Sequence, residues 1–378
     1  MKRGLKHCLD THAYFGEFMK NKIERLGELP FPTPSESEMN WFNEEIEEVN
    51  IGSQDILRFL KMGKLLEEPL QNELIQSFHD YSELFAWSYK DMLGLDKNFV
   101  VHNLVVEKGA ILVKQKPRKI PFQVSLLVKK EIEKLLEVGF IRPIDYSEWM
   151  ANVVSMKKPT SEIRVCTDFR YLNKSCSKDD FPLPNIDMII ESLASYAMLS
   201  FMDGFSRYNQ IKIKESDQHK TTFRTPWGNF CYKGMPFGLK NVGATYQRAM
   251  TTMFYDFIHK IVEVYVDDIL IKSKNKEDHI KDVKTTFERM KQYKLRIKPQ
   301  KCVFEISSRK LLGHIISRRG VEVDSKKIKA ITKMSSPMNL KQLRSLQGKI
   351  QAVRKFICQL TDKIAPMSHL LKKEVEFK

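Results

Sequence analysis

The chain has 378 residues, 42% of them hydrophobic, which allows a sizeable core shared among two or three subdomains. A formal charge of +16 makes a polyanion the simplest partner. No stretch reads as a signal peptide or is apolar enough to span a membrane, and six scattered cysteines without a C-x-x-C suit reduced intracellular thiols rather than a zinc knuckle.

Residues 1–52 read as a flexible linker, basic at Lys2, Arg3 and Lys6, Pro-rich over 30–34 and acidic over 35–48. Residues 53–115 read as a helical segment. Leu74, Phe78, Tyr81 and Phe85 stand at helical spacing there, and the lone His79 and His102 suit structural roles. Val128, Ile132 and Leu135 stripe the next helix, which Gly139 is suited to end. N-V-V-S-M-K-K-P-T-S-E-I-R-V-C (152–166) reads as two short strands around a basic tip. A strand-like run then ends in Asp203. Further on, Tyr246, Met250, Met253, Phe254 and Phe257 share one helix face, as do Ile280, Val283, Phe287 and Met290. Leu340, Leu343, Leu346, Ile350, Val353 and Ile357 mark a last long helix, with Lys341, Arg344, Lys349, Arg354 and Lys355 largely off the stripe. The charge is uneven. Residues 271–378 hold 28 Lys and Arg against 10 Asp and Glu, so the remainder is slightly acidic.

The stretch V-E-V-Y-V-D-D-I-L-I-K (262–272) sets two β-branched runs around Asp267-Asp268. Two residues between such runs read as a tight hairpin, and Asp is an acceptable turn residue, so an ordinary β-turn accounts for the pair. The nearly uncharged flanks point the other way. Adjacent carboxylates on a core must neutralise, pair or coordinate metal, and no Arg or Lys is close enough in sequence to pair with both. Clustered carboxylate oxygens suit a hard divalent cation such as Mg²⁺. Asp203, at the end of its own strand, offers a third. Three such groups can hold two metals roughly 4 Å apart, the clamp used in nucleotidyl transfer.

Tyr265-Val266-Asp267-Asp268 resembles the Y-x-D-D box of reverse transcriptases. More of the chain resembles the polyproteins of gypsy-type LTR retrotransposons: V-G-F-I-R-P (138–143), R-V-C-T-D-F-R-Y-L-N-K (164–174), F-P-L-P-N-I-D (181–187), M-P-F-G-L-K-N (235–241) and K-C-V-F…L-L-G-H-I-I-S-R-R-G (301–320). The blocks stand in the family's order and cover about Ser53 to the C-terminus.

The resemblance implies an α+β right-hand polymerase fold of fingers, palm and thumb, with an antiparallel palm sheet backed by helices. Residues 116–325 would form fingers and palm, and 326–378 thumb or connection helices truncated before an RNase H. Asp203, Asp267 and Asp268 would be catalytic and bind two Mg²⁺, with Mn²⁺ as a substitute. Lys157 or Lys158, with Arg164, would hold the incoming triphosphate; Tyr208, Phe237, Gly238 and Tyr265 would line the dNTP pocket, Tyr208 excluding a 2′-hydroxyl. Leu312, Gly313 and His314 would grip the primer end. The implied partners are an RNA or DNA template-primer, dNTPs and other Gag-Pol parts (protease, RNase H, integrase) absent from this chain, with no membrane. The implied place is inside the cell, in a cytoplasmic virus-like particle or the nucleus.

The sequence departs from the family pattern at Arg207, where Gly or Ala is usual, at Val242-Gly243, where Ala-Pro is usual, and at Leu93, where Pro is common. Arg207 brings bulk and charge beside the triphosphate. A catalytically inactive retroelement remnant that only binds nucleic acid is therefore the alternative to an RNA-directed DNA polymerase. A two-metal nuclease is weaker, because no motif supplies a fourth acidic ligand.

Overall fold

Met198 to Met202 are all buried, and a run that is apolar toward both sides belongs inside a covered sheet. In the computed structural model, the structure describes residues 46–64, 67–157, 163–194, 196–311, 314–317, 320–323, 325–335 and 337–371. Two compact units result, Glu45–Ser307 and a second whose described residues begin at Ser308.

The strands of the larger unit are β1 (Ile46–Asn50), β2 (Phe59–Gly63), β3 (Val101–His102), β4 (Ile141–Pro143), β5 (Ala151–Lys157), β6 (Ile163–Thr167), β7 (Met198–Asp203), β8 (Lys212–Ile213), β9 (Phe223–Thr225), β10 (Gly228–Tyr232), β11 (Val262–Tyr265), β12 (Asp268–Ser273) and β13 (Val303–Ile306). Six form one sheet in the order β1-β2-β13-β7-β12-β11, and five form another in the order β4-β10-β9-β5-β6. The six-stranded sheet is mixed rather than wholly antiparallel, because β13 lies parallel to β2.

Two expectations change at the N-terminal side. Ile46–Asn50, placed in the linker by its acidic composition, pairs with Phe59–Gly63 and supplies an edge of the sheet. The stripe from Leu74 to Phe85 is not one helix. The helix Glu68–Asp80 ends at Tyr81, a short 3-10 turn follows, and Phe85 leaves the helix so that Ala86 can donate to the Ile297 carbonyl at 3.0 Å. Phe85 still reaches the core that the stripe implied, where its ring meets Phe78, Phe287 and Phe304 edge-on.

The helix Val242–Met253 packs on β11, and the helix Lys276–Gln292 packs on β12 and β7. Their buried residues include Tyr246, Met250 and Met253 on one, and Ile280, Val283, Phe287 and Met290 on the other. His279 fixes the second helix to the sheet, with one ring nitrogen 2.7 Å from the Ser200 hydroxyl and the other 2.8 Å from that of Ser273. Burial lowers its pKa to about 3, so it stays neutral. The helix Phe122–Glu137 buries Val128, Ile132 and Leu135. β5 and β6 form the expected hairpin, with Lys157 opposite Ile163.

The smaller unit holds an antiparallel sheet of β14 (Ser308–Leu311), β15 (His314–Ser317) and β16 (Gly320–Val323). Among the described residues three α-helices follow, Ser325–Thr332, Leu340–Gln351 and Leu360–His369. The expected long helix therefore stops at Gln351. Val353 leaves helical geometry and buries its side chain in a small core with Ile331, Leu346, Ile350, Leu360 and Ile364, which one straight helix could not enclose. No described helix is long and apolar enough to cross a membrane.

Two buried carboxyl groups in the large sheet lead to tests of stability. Glu263 on β11 pairs with Lys272 on β12 at 2.8 Å, both about 1% exposed, and the Ser192 hydroxyl donates to the same carboxylate at 2.8 Å. Removing one member leaves a buried charge. Glu263→Leu should therefore cost about 3–5 kcal/mol in urea denaturation, and adding Lys272→Met should recover most of that loss.

Glu305 sits in a left-handed conformation (φ 52°), at the irregularity where β13 and β7 slip register. Its carboxyl is buried with no hydrogen-bond partner among the described residues. Burial, helped by Glu73, pushes its pKa from 4.5 up to about 8. The folded chain then keeps a proton that the unfolded chain releases above 4.5. Its contribution to stability should fall as pH rises from 4.5 to about 8, by at most ~1.4 kcal/mol per pH unit. Denaturation of Glu305→Gln across that range should lack this component. A difference from the unmodified chain that stays constant with pH would contradict it.

Candidate active site

β7 and β12 run antiparallel with Asp203 opposite Asp268, and Tyr265 opposite Asp268 closes the β11–β12 hairpin. The turn therefore consists of Val266 and Asp267, one residue earlier than the Asp-Asp turn expected from the sequence. Successive strand residues face opposite sides, so the shift decides where Asp268 points. As the first residue of β12 it shares a cross-strand row with Asp203, where Cβ atoms are ~4.5–5.5 Å apart. The Gly204 amide reaches toward the Asp267 carbonyl at 3.5 Å, tying the turn to the end of β7. The fold thus gathers Asp203, Asp267 and Asp268 at one end of the sheet.

The turn needs support because Val266 has φ 48°, a region that glycine fills easily and a β-branched residue resists. Gln247, buried in the helix Val242–Met253, supplies it. Its Oε1 accepts from the Val266 amide at 2.8 Å, and its Nε2 donates to the Val264 carbonyl at 3.2 Å. The sequence reading passed over Gln247, since only its place opposite the hairpin reveals its part.

Lys301 was missed too. Its ammonium forms an ion pair with the Asp203 carboxylate. It ends the short turn Pro299–Lys301, whose preceding residue Lys298 donates its amide to the Asp203 carbonyl at 2.8 Å. A residue ninety-eight positions away cannot be recognised as a partner without the sheet order. Carboxylate oxygens suit a hard divalent cation by their chemistry. As placed, however, no three Asp, Glu, His or Cys side chains among the described residues enclose a common point. The donors fit such an ion, and the Lys301 contact on Asp203 is the arrangement that would have to give way.

Beyond Asp203 the chain enters a 3-10 turn, Arg207–Gln210, through Ser206 at φ 42°. Gln210 holds this turn from within: its Nε2 donates to the Phe205 and Arg296 carbonyls at 2.8 and 2.9 Å, and its Oε1 accepts from the Arg296 amide at 2.9 Å. Tyr208 is 8% exposed, and its ring lies edge-on to Phe237 at 5.0 Å and Tyr246 at 5.6 Å. Phe237, 40% exposed, is the outward end of this aromatic row. Gly238 follows at φ +93°, where a side chain would be strained, and Asn173 donates to its carbonyl at 2.7 Å. Asp168 anchors the neighbouring helix start. Hydrogen bonds from Arg170, with the Arg118 charge nearby, hold its carboxyl below the usual range.

The remaining expected residues are less fully placed. Lys157 ends β5 and Arg164 lies in β6, opposite Met156, but their side chains, like that of Arg207, lie outside what is described. Lys158, Leu312 and Gly313 also lie outside the described residues. His314 opens β15 in the smaller unit, with its ring 5.7 Å from that of Phe356. Tyr265 is half-buried at the end of β11.

Residues 156–316, which include all three acids and Lys301, match the family described as reverse transcriptase (RNA-dependent DNA polymerase). The chain belongs to the reverse transcriptases. It is 33% identical over 256 residues to the retrovirus-related Pol polyprotein from transposon gypsy of Drosophila melanogaster, covering 66% of this chain and 25% of that one. It is 28% identical over 336 residues to the transposon Tf2-3 polyprotein of Schizosaccharomyces pombe, covering 88% and 24%. The chain thus spans about a quarter of the length of these relatives. Among solved structures it is similar to the foamy viral protease-reverse transcriptase in complex with RNA/DNA hybrid, with a TM-score of 0.70 and 20% identity over 81% of this chain and 41% of that one. The fold is the right-hand polymerase fold, and the six-stranded sheet is its palm.

Gln247→Leu should cost about 1–3 kcal/mol in thermal or urea unfolding, because it strips partners from a half-buried amide and a buried carbonyl. Gln247→Glu keeps an acceptor for Val266 but no donor for Val264, and should be intermediate. Stability unchanged in both would remove Gln247 as the support of the turn.

Proposed function

We propose that this chain is an RNA-directed DNA polymerase that transfers a nucleotidyl group from a dNTP to a primer 3′-hydroxyl. The observation that carries the proposal is the register of the palm sheet, with Asp203 opposite Asp268 and Asp267 in the adjoining turn. These three would hold two Mg²⁺, or Mn²⁺ in their place. Such ions, when bound, supply Lewis-acid stabilisation of charge on the attacking oxygen and the departing pyrophosphate.

The chain's own residues bind and orient. Phe237 offers an apolar face to the incoming nucleotide, and Gly238 permits close backbone approach. Tyr208, wedged between Phe237 and Tyr246, is too confined to swing aside, which suits it to reject a 2′-hydroxyl. Tyr265 ends the strand that leads into the acidic turn. Lys157, Lys158 and Arg164 suit a polyphosphate, a flexible ammonium and a forked guanidinium being complementary binders. Leu312, Gly313 and His314 would meet the primer end. The partners are an RNA or DNA template-primer, dNTPs and the other parts of a Gag-Pol polyprotein, inside the cell.

Arg207 favours a second reading, a folded copy that binds nucleic acid without catalysis, because it brings a cationic side chain to a turn beside the nucleotide site. Primer extension on an RNA template, with Mg²⁺ and separately Mn²⁺, decides between them. The expected result is extension by the unmodified chain and a loss of about 10³-fold or more in Asp267→Asn, since several kcal/mol of charge stabilisation disappear. Extension only after Arg207→Gly would mark a silenced copy. Silence in every variant, with template-primer binding retained, would establish the binding remnant.

A further inference from the structure

Lys301 has a place in the palm that the polymerase reading does not assign. It is held beside Asp203 by two connections from one short segment. The Lys298 amide donates to the Asp203 carbonyl at 2.8 Å, and the Lys301 ammonium pairs with the Asp203 carboxylate. Between them the 3-10 turn Pro299–Lys301 closes through the Cys302 amide, which donates to the Pro299 carbonyl at 3.1 Å. Immediately afterwards β13 begins, with Val303 opposite Phe201 on the same strand that ends in Asp203. The ladder therefore aims Lys301 at the acid.

We infer that Lys301 is a built-in competitor for the divalent cation at Asp203. Its ammonium neutralises the carboxylate while no metal is bound and must leave before a metal can coordinate that oxygen. The two oppose each other, since an ammonium and a divalent cation on one carboxylate oxygen repel at close range. The exposures favour exchange at the lysine. Its side chain is 54% exposed and can move into water, whereas that of Asp203 is 15% exposed and stays in the sheet. Lys301 is thus a positioning residue that sets the threshold for metal loading. The inference rests on the proposed metal-binding role of Asp203.

Mn²⁺ binding to the full chain, followed by the electron paramagnetic resonance signal of free Mn²⁺, tests it without reference to activity. Removing a half-exposed ion pair should tighten binding about two- to five-fold in Lys301→Met and in Lys301→Gln. Lys301→Arg keeps the charge and should bind as the unmodified chain does. Asp203→Asn should lose the tight site. Unfolding curves show which variants are folded, and two neutral variants are included so that one failing to fold does not end the test. Unchanged or weaker binding in a folded neutral variant, with Asp203→Asn still defective, overturns the role of Lys301 and leaves the metal reading standing. Mn²⁺ binding indifferent to Asp203→Asn overturns both.

Discussion

The two hydrogen bonds that Gln247 makes to Val264 and Val266, where β11 enters the turn, fix the register of the whole acidic end of the palm. A two-residue turn centred one position later would begin β12 at Ile269 and send the cross-strand partners to the opposite face. With Val266 and Asp267 in the turn, Ile269 and Ile271 stay in the core and Asp268 comes opposite Asp203. The strained Val266 is tolerated because Gln247 meets its amide and the helix carrying Gln247 is itself buried through Tyr246, Ala249 and Met250. Packing of that helix and placement of the acids are therefore one requirement.

The same sheet shows how polar groups are admitted to a core. Ser200 on β7 and Ser273 on β12 are bridged by His279 from the covering helix, so a single neutral imidazole satisfies two strands. Glu263 and Lys272 pair across β11 and β12, with Ser192 donating to the same carboxylate. Such groups specify the packing of the helix and hairpin because each has a partner only in the native register. Glu305 departs from this pattern and remains protonated instead.

The sequence disclosed the helices best where one buried stripe dominates, as along Ile280, Val283, Phe287 and Met290. It disclosed the acidic hairpin because β-branched flanks bracket the two aspartates. It misjudged the turn by one residue, since Val is poorly suited to a positive φ and only a tertiary contact from Gln247 makes that conformation affordable. The Tyr81 and Gln351 helix ends escaped notice for a related reason. Periodicity continues through both, while the backbone breaks to bring Phe85 and Val353 into their cores. Lys301 could not be read as a partner of Asp203, because the neighbour relation of β13 and β7 is written in neither segment alone.

One feature of the palm bears on how the molecule is made. Lys61 and Met62 on β2 lie beside Val303 and Phe304 on β13, and among the described residues β1 attaches to the sheet through β2. During synthesis the β1–β2 hairpin emerges long before the strand that receives it. At ~5–20 residues per second, the ribosome takes on the order of tens of seconds to supply that strand. Until then the hairpin carries unsatisfied backbone edges, a state open to pairing with other nascent chains. Slow decoding or a stall ahead of β13 would prolong the exposure, so the yield of folded protein depends on the tempo of translation as well as on the sequence.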